Sequence, residues 1–163
     1  MESGYPWNGR AVYTIEACTS PFALAIHIPA HAQNLCVRLN GQVIDAQIKN
    51  GYAYICSDFA SGDEVEVCFD MPPRRVYTHP LVKDTAGKVA LARGPVVYCF
   101  EGIDNGEELK ELRLPKDAEL HALAYDEELL GGVVPLKANG LRAIPYYAWS
   151  NRGEHAMSVF LQE

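Results

Sequence analysis

The sequence lacks any apolar run long enough to cross a membrane: the longest, such as residues 22–28, stop far short of the ~20 residues a spanning helix needs. Its opening, MESGYPWNGR, has no apolar stretch of the secretory kind, so neither a membrane partner nor a targeting leader is expected. Basic charge is short as well. Lys and Arg number 14 against 21 Asp and Glu, and the net charge of −7 argues against nucleic acid, which is held by a basic field. Cysteine is unpatterned: Cys18, Cys36, Cys56, Cys68 and Cys99 form an odd set with no C-x-x-C and no adjacent pair. They read as reduced, strand-borne small hydrophobes, which suits the cytoplasm. His27, His31, His79, His121 and His155 are too scattered for a metal-binding spacing. The G-x-S-x-G elbow, the P-loop and the dinucleotide fingerprint are missing too, so neither a metal nor any other cofactor is expected.

What is present is a period of two. In FALAIHI, Phe22, Leu24, Ile26 and Ile28 share one face; in DEVEVCFDM, Val65, Val67, Phe69 and Met71 oppose Glu64, Glu66, Cys68 and Asp70. Both predict half-buried antiparallel strands. Asn40-Gly41, Asn50-Gly51 and Gly62-Asp63 punctuate LCVRL, QVIDAQI and YAYICS at strand-length intervals, which predicts hairpins in an up-and-down meander. The prolines of MPPRRVYTHP interrupt the pattern and suit a crossing between modules, with a soft boundary near Arg75. Strands resume in KVALA and PVVYCFEG; the charged stretch after residue 104 supports one short helical turn, and strand character returns in LRAIPYYAWSNRG and HAMSVFLQE. The fold class is therefore all-β: an antiparallel, jelly-roll-like β-sandwich, or two small abutting ones, over residues 1–75 and 76–163.

Few residues carry chemistry. Glu101 and Asp104 could straddle a glycosidic bond as paired carboxylates, but carboxylates just past a strand end in an acidic chain read first as solvated turn residues. Tyr5, Trp7, Tyr146 and Trp149 are flat rings on which a sugar could stack, with Asn151 and Arg152 as hydrogen-bond donors; the rival reading has those rings sealing a core or an interface. Arg93, Gly94 and Pro95 read as a structural corner. Pro95 has no N–H for a ladder, Gly94 tolerates unusual backbone angles, and Arg93 is a poor proton donor.

Taken in order, YPWNGR, FALAIHIPAHA, VRLNGQ, GYAYI, MPPRRVYTHPLVKDTAGKVALARGPVVYCFEGIDN, DAEL, AIPYYAWSNRG and MSVFL resemble the C-terminal part of glycoside hydrolase family 127, the β-L-arabinofuranosidase type. The resemblance covers nearly the whole chain, and residues 71–105 and IPYYAWSNRG are its specific parts. It implies β-sandwich domains that follow an α/α barrel, pack on it and help form dimers. The family's chemistry is attributed to a cysteine nucleophile beside a zinc ion held by glutamate and cysteine, with a glutamate as acid/base, all in the barrel. That barrel is not in this sequence, and the adjacent cysteines of the nucleophile region have no counterpart, so no catalytic role carries over to any of the five cysteines. Two departures stand out: His31 occupies the IPxWA position where tryptophan is usual, and the stretch between Gly132 and Ala143 is short. The family also places strands ahead of YPWNGR, so the first sandwich is expected to show an open edge that invites pairing with another chain.

Three readings follow. The first is a non-catalytic accessory region whose partners are a second copy of itself, as a dimer, or a catalytic α/α barrel. The second is a carbohydrate-binding module for arabinose-containing glycans, built on Tyr5, Trp7, Tyr146, Trp149, Asn151 and Arg152. The third, an enzyme in its own right, requires Glu101, Asp104 and a histidine to meet in a cleft, and ranks last.

Overall fold

Alternating residues become strands whose apolar face is buried. In the computed structural model, which describes residues 1–163, the chain divides into two compact units, Met1–Met71 and Pro72–Glu163. The first unit contains β1 (Glu2–Ser3), β2 (Arg10–Thr14), β3 (Phe22–His27), β4 (Gln33–Leu39), β5 (Gln42–Ile44), β6 (Gln47–Lys49), β7 (Tyr52–Ser57) and β8 (Glu64–Asp70). They form a five-stranded sheet in the order β1-β2-β8-β4-β5 and a three-stranded sheet in the order β3-β7-β6. Ile26 and Ile55 from the smaller sheet meet Val37, Val65 and Val67 from the larger one in a shared core, which makes this unit a sandwich.

The meander expected here is not the topology found. β8 inserts between β2 and β4, and the run QVIDAQI is not one strand but two, β5 in one sheet and β6 in the other, with the chain crossing at Asp45-Ala46. A segment that crosses between two sheets lets each bury one face against the other, which no single-layer meander can do. The hairpin turns are where the Asn-Gly pairs are. Asn40 and Gly41 (φ 50° and 79°) join β4 to β5, and Asn50 and Gly51 (φ 51° and 78°) join β6 to β7, the two positive angles a type I′ turn demands.

The second unit holds β9 (Pro73–Val76), β10 (Lys88–Arg93), β11 (Val96–Glu101), the single-turn helix α1 (Gly102–Asn105), β12 (Leu120–Ala122), β13 (Leu136–Ala138), β14 (Leu141–Pro145), β15 (Met157–Ser158) and β16 (Leu161–Gln162). All eight strands belong to one antiparallel sheet, in which β10 and β11 exchange partners along their length. β11 pairs with β10 at Val96 and Val97, with β14 at Tyr98 and Cys99, and with β15 at Phe100 and Glu101. Val89, Leu91, Tyr98, Phe100, Leu114 and Leu136 make its core. The all-β, antiparallel, sandwich-like class expected from the sequence is the class observed. No helix is long and apolar enough to cross a membrane.

Candidate functional site

The richest constellation grows from the end of β11. After the buried Tyr98, Cys99 and Phe100, the strand delivers Glu101 into the interior at 2% exposure, so this carboxylate is not the solvated turn residue its sequence context suggests. A buried carboxylate needs partners, and two come from one later segment. The Ser150 N–H donates to Glu101 Oε1 at 2.8 Å, and Arg152 Nη2 donates to Glu101 Oε2 at 2.5 Å. The same guanidinium reaches Asp104 through Nη1 at 3.0 Å and through Nη2. Asp104 first, then Glu101, hold Arg152 charged well above its usual range, against the opposing effect of burial.

Neighbouring bonds reinforce the clamp. Asn105 donates to the carbonyls of Glu101 and Arg142 and accepts from the Arg142 N–H, each at 2.9 Å, which ties α1 to β14. Glu107 accepts the Ala156 N–H at 2.8 Å and meets His155 Nδ1 at 2.8 Å. The acidic turn 101–107 therefore gathers residues 150–156 with three carboxylates. Chemically, the arrangement makes poor acid/base machinery: Glu101 and Asp104 share a single cation, and burial drives the adjacent Cys99 thiol to about 12, where it is inert.

The clamped segment follows an exposed aromatic turn. A 3₁₀ turn, Tyr146–Ala148, and the next residue present Tyr146, Tyr147 and Trp149 at 47%, 56% and 42% exposure, while Ala148 between them is buried. Asn151 and Arg152 line a polar cleft of about 410 Å³ with Asp126, Glu128 and Arg142. Asn151 directs its amide to the Ala148 and Trp149 carbonyls, and Arg152 directs both terminal nitrogens to the carboxylates while its buried Nε bonds neither. Tyr5 and Trp7 belong to the other unit. Tyr5 stacks on His31 at 6.2 Å with 12° between the planes, bonds its Nε2 at 3.3 Å, and meets Phe69 edge-on at 6.3 Å. The six residues of the sugar-binding reading are thus divided between the two units.

Gly94 and Pro95 form the two-residue loop of the β10–β11 hairpin, with Arg93 and Val96 as the closing pair. Gly94 at φ 54° takes the first central position, where a type II′ turn requires a positive angle. Arg93 lies against the hydroxyl of Tyr98, which donates to the Val134 carbonyl at 2.8 Å; burial raises that phenol to about 12. No group of three or more His, Cys, Asp or Glu side chains is gathered in a geometry that could hold a metal ion. Sequence reasoning missed the Arg152 clamp because 48 to 51 residues separate its members; the one available signal was an arginine and two carboxylates within the two specific stretches.

Comparison with known proteins matches residues 1–71 to the middle domain of the family 127 β-L-arabinofuranosidases and residues 73–162 to the glycoside hydrolase family 127 C-terminal domain. The crystal structure of a family 127 β-L-arabinofuranosidase from Geobacillus stearothermophilus T6 superposes with a TM-score of 0.90 and 41% identity, covering 99% of this chain and 30% of that one. A second family 127 β-arabinofuranosidase structure gives a TM-score of 0.88 at 33% identity, covering 99% and 31%. The non-reducing end β-L-arabinofuranosidase of Bifidobacterium longum subsp. longum is 29% identical over 98% of this chain and 29% of its own length. The chain thus spans about 30% of the length of these relatives.

Proposed function

The chain belongs to glycoside hydrolase family 127, and from that premise we propose that it is a non-catalytic β-region that packs on a catalytic α/α barrel of the β-L-arabinofuranosidase type and contributes to oligomerisation. One observation carries the reading: the aromatic turn Tyr146–Trp149 presents three large rings at the surface, none of them a member of the core built on Val89, Leu91, Tyr98 and Phe100. Clustered exposed aromatics are the composition of interface anchors. The Glu101–Arg152–Asp104 clamp supports the same role, because it fixes the turn's continuation rigidly at the cost of any free carboxylate. The five unpaired thiols support a reducing, cytoplasmic setting.

The test is the solution mass of the purified chain by light scattering, alone and mixed with a separately expressed family 127 barrel. A dimer or a barrel complex is expected, with association lost in the triple variant Tyr146→Ala, Tyr147→Ala, Trp149→Ala. A monomer that ignores the barrel would overturn the proposal. A second reading, binding of arabinose-containing glycans, is favoured only by the exposed Trp149 ring near the polar cleft at Asn151. Saturable quenching of tryptophan fluorescence by arabino-oligosaccharide, abolished by Trp149→Phe but kept in Trp7→Phe, would establish it.

A further inference from the structure

Strand pairing brings together two cysteines that lie 32 residues apart. Cys36 on β4 and Cys68 on β8 are direct register partners. Their neighbours Val37 and Val67 face the core, so both thiols share the outer face of the five-stranded sheet, and both are only half-buried. The geometry of the pair follows from the ladder. The Asn40 N–H donates to the Glu64 carbonyl across the same two strands at 2.8 Å, and hydrogen-bonded pairs recur at every second position, so Cys36 and Cys68 form another such pair. Its Cα separation is then about 5.5 Å, inside the range of about 4.4–6.8 Å that disulfides span. The Cβ atoms of a hydrogen-bonded pair stand about 5.5 Å apart and a disulfide holds them at about 3.5–4.5 Å, so closing the bond draws β4 toward β8 next to the register shift between Gln33 and Cys36. Burial first, and the Glu66 carboxylate second, hold the Cys68 thiol above its ordinary range, against Arg38 Nη1 at 3.8 Å from its Sγ, so the Cys68 thiolate forms only at alkaline pH.

We propose that Cys36 and Cys68 are an oxidation site at which a dithiol closes to a cross-strand disulfide and locks β4 to β8. With glutathione disulfide as oxidant, one cysteine thiolate attacks it, forming a mixed disulfide and releasing one glutathione thiolate. The second cysteine, having lost its proton, attacks the protein sulfur and displaces the second glutathione. Two thiol protons and two electrons leave the protein, and one disulfide is exchanged for another. The remaining thiols lack such a partner: Cys56 faces Ala23, Cys18 bonds the Ser20 carbonyl at 3.0 Å, and Cys99 is buried. This assignment is independent of the accessory role proposed above.

The experiment treats the reduced, purified chain with glutathione buffers of increasing oxidised fraction, then counts thiols and maps peptides. The expected result is a fall from five titratable thiols to three, with one linked peptide pair containing Cys36 and Cys68. The oxidised form should melt at least ~4 °C above the reduced form, since the cross-link restricts the unfolded chain. Cys36→Ser and Cys68→Ser should each leave a glutathione adduct on the surviving partner, whereas Cys56→Ser should oxidise like the parent. Five thiols that persist, separate adducts on both cysteines in the parent, or a disulfide through Cys18 or Cys56 would each overturn the proposal.

Discussion

The two units handle charge in opposite ways. In the first, Glu66 accepts from Arg10 at 2.5 Å and Arg38 at 3.0 Å on the outer face of the sheet, where Arg10 is exposed and Arg38 and Glu66 are half-buried with access to water. In the second, Glu101 is buried and its cation is shared with Asp104. An exposed network of this kind adds little to stability, whereas an uncompensated charge in an interior is costly. The comparison teaches that the second unit depends on one residue from near its C-terminal end to neutralise a carboxylate planted at the end of β11, and the first has no equivalent dependence.

The sharpest way to break the comparison is Arg152→Met. It strands Glu101 without a counter-ion and should destabilise the second unit by about 3 kcal/mol, read by urea denaturation. The double change Glu101→Gln with Arg152→Met should recover part of that loss, because it removes the unpaired charge. If the single variant is as stable as the parent, the clamp is ornamental. The next effect belongs to the first unit. Gly9, in the YPWNGR motif, packs so closely on β8 that an added Cβ would collide with the backbone carbonyl of Phe69, whose N–H also donates to the Gly9 carbonyl at 3.0 Å. A backbone atom cannot swing aside, so Gly9→Ala should cost about 2 kcal/mol.

These two sites also mark what was legible beforehand. Strands with clean alternation, such as β3 and β8, and turns with a steric signature, such as Asn40-Gly41 and Asn50-Gly51, follow from local chemistry and were readable from the sequence. Which sheet a strand joins is decided by burial across the whole unit. QVIDAQI therefore read as one strand although Asp45 and Ala46 carry it between layers. The same limit applies to the site. Glu101 reads as a solvated turn residue because it lies at a strand end in an acidic chain, and only the return of residues 150–156 onto β11 turns it into a buried ion. His31 is a middle case: the departure from tryptophan was visible, but its stacking on Tyr5 was not.

A weaker probe sharpens the contrast from the exposed side. Glu66→Gln removes the anion between Arg10 and Arg38 while keeping its size, and should leave the melting temperature of the first unit within experimental error. A loss comparable to that of Arg152→Met would mean that the two networks are energetically alike despite their different burial.

The smallest effect is a pH dependence that both units share but express in different windows. The Ala156 N–H first, and His155 second, hold the Glu107 carboxyl below its ordinary 4.5; the Ala60 N–H, then the Asn40 amide, hold Asp63 below its ordinary 3.8. A carboxyl lowered in the folded state contributes stability that is complete above its unfolded value and is lost as pH falls through its folded one. Acidification should therefore begin to loosen the 150–156 segment below about pH 4.5, before the Asp63 turn responds below about pH 3.8. Hydrogen exchange at the Ala156 and Ala60 amides, followed from pH 6 downwards, separates the two. Glu107→Gln should make Ala156 exchange insensitive to pH in that window after correction for intrinsic rates, and leave Ala60 unchanged. Simultaneous loss of protection at both amides would instead mean that the units open as one cooperative body, and that the different fates of their charges are averaged over the whole chain.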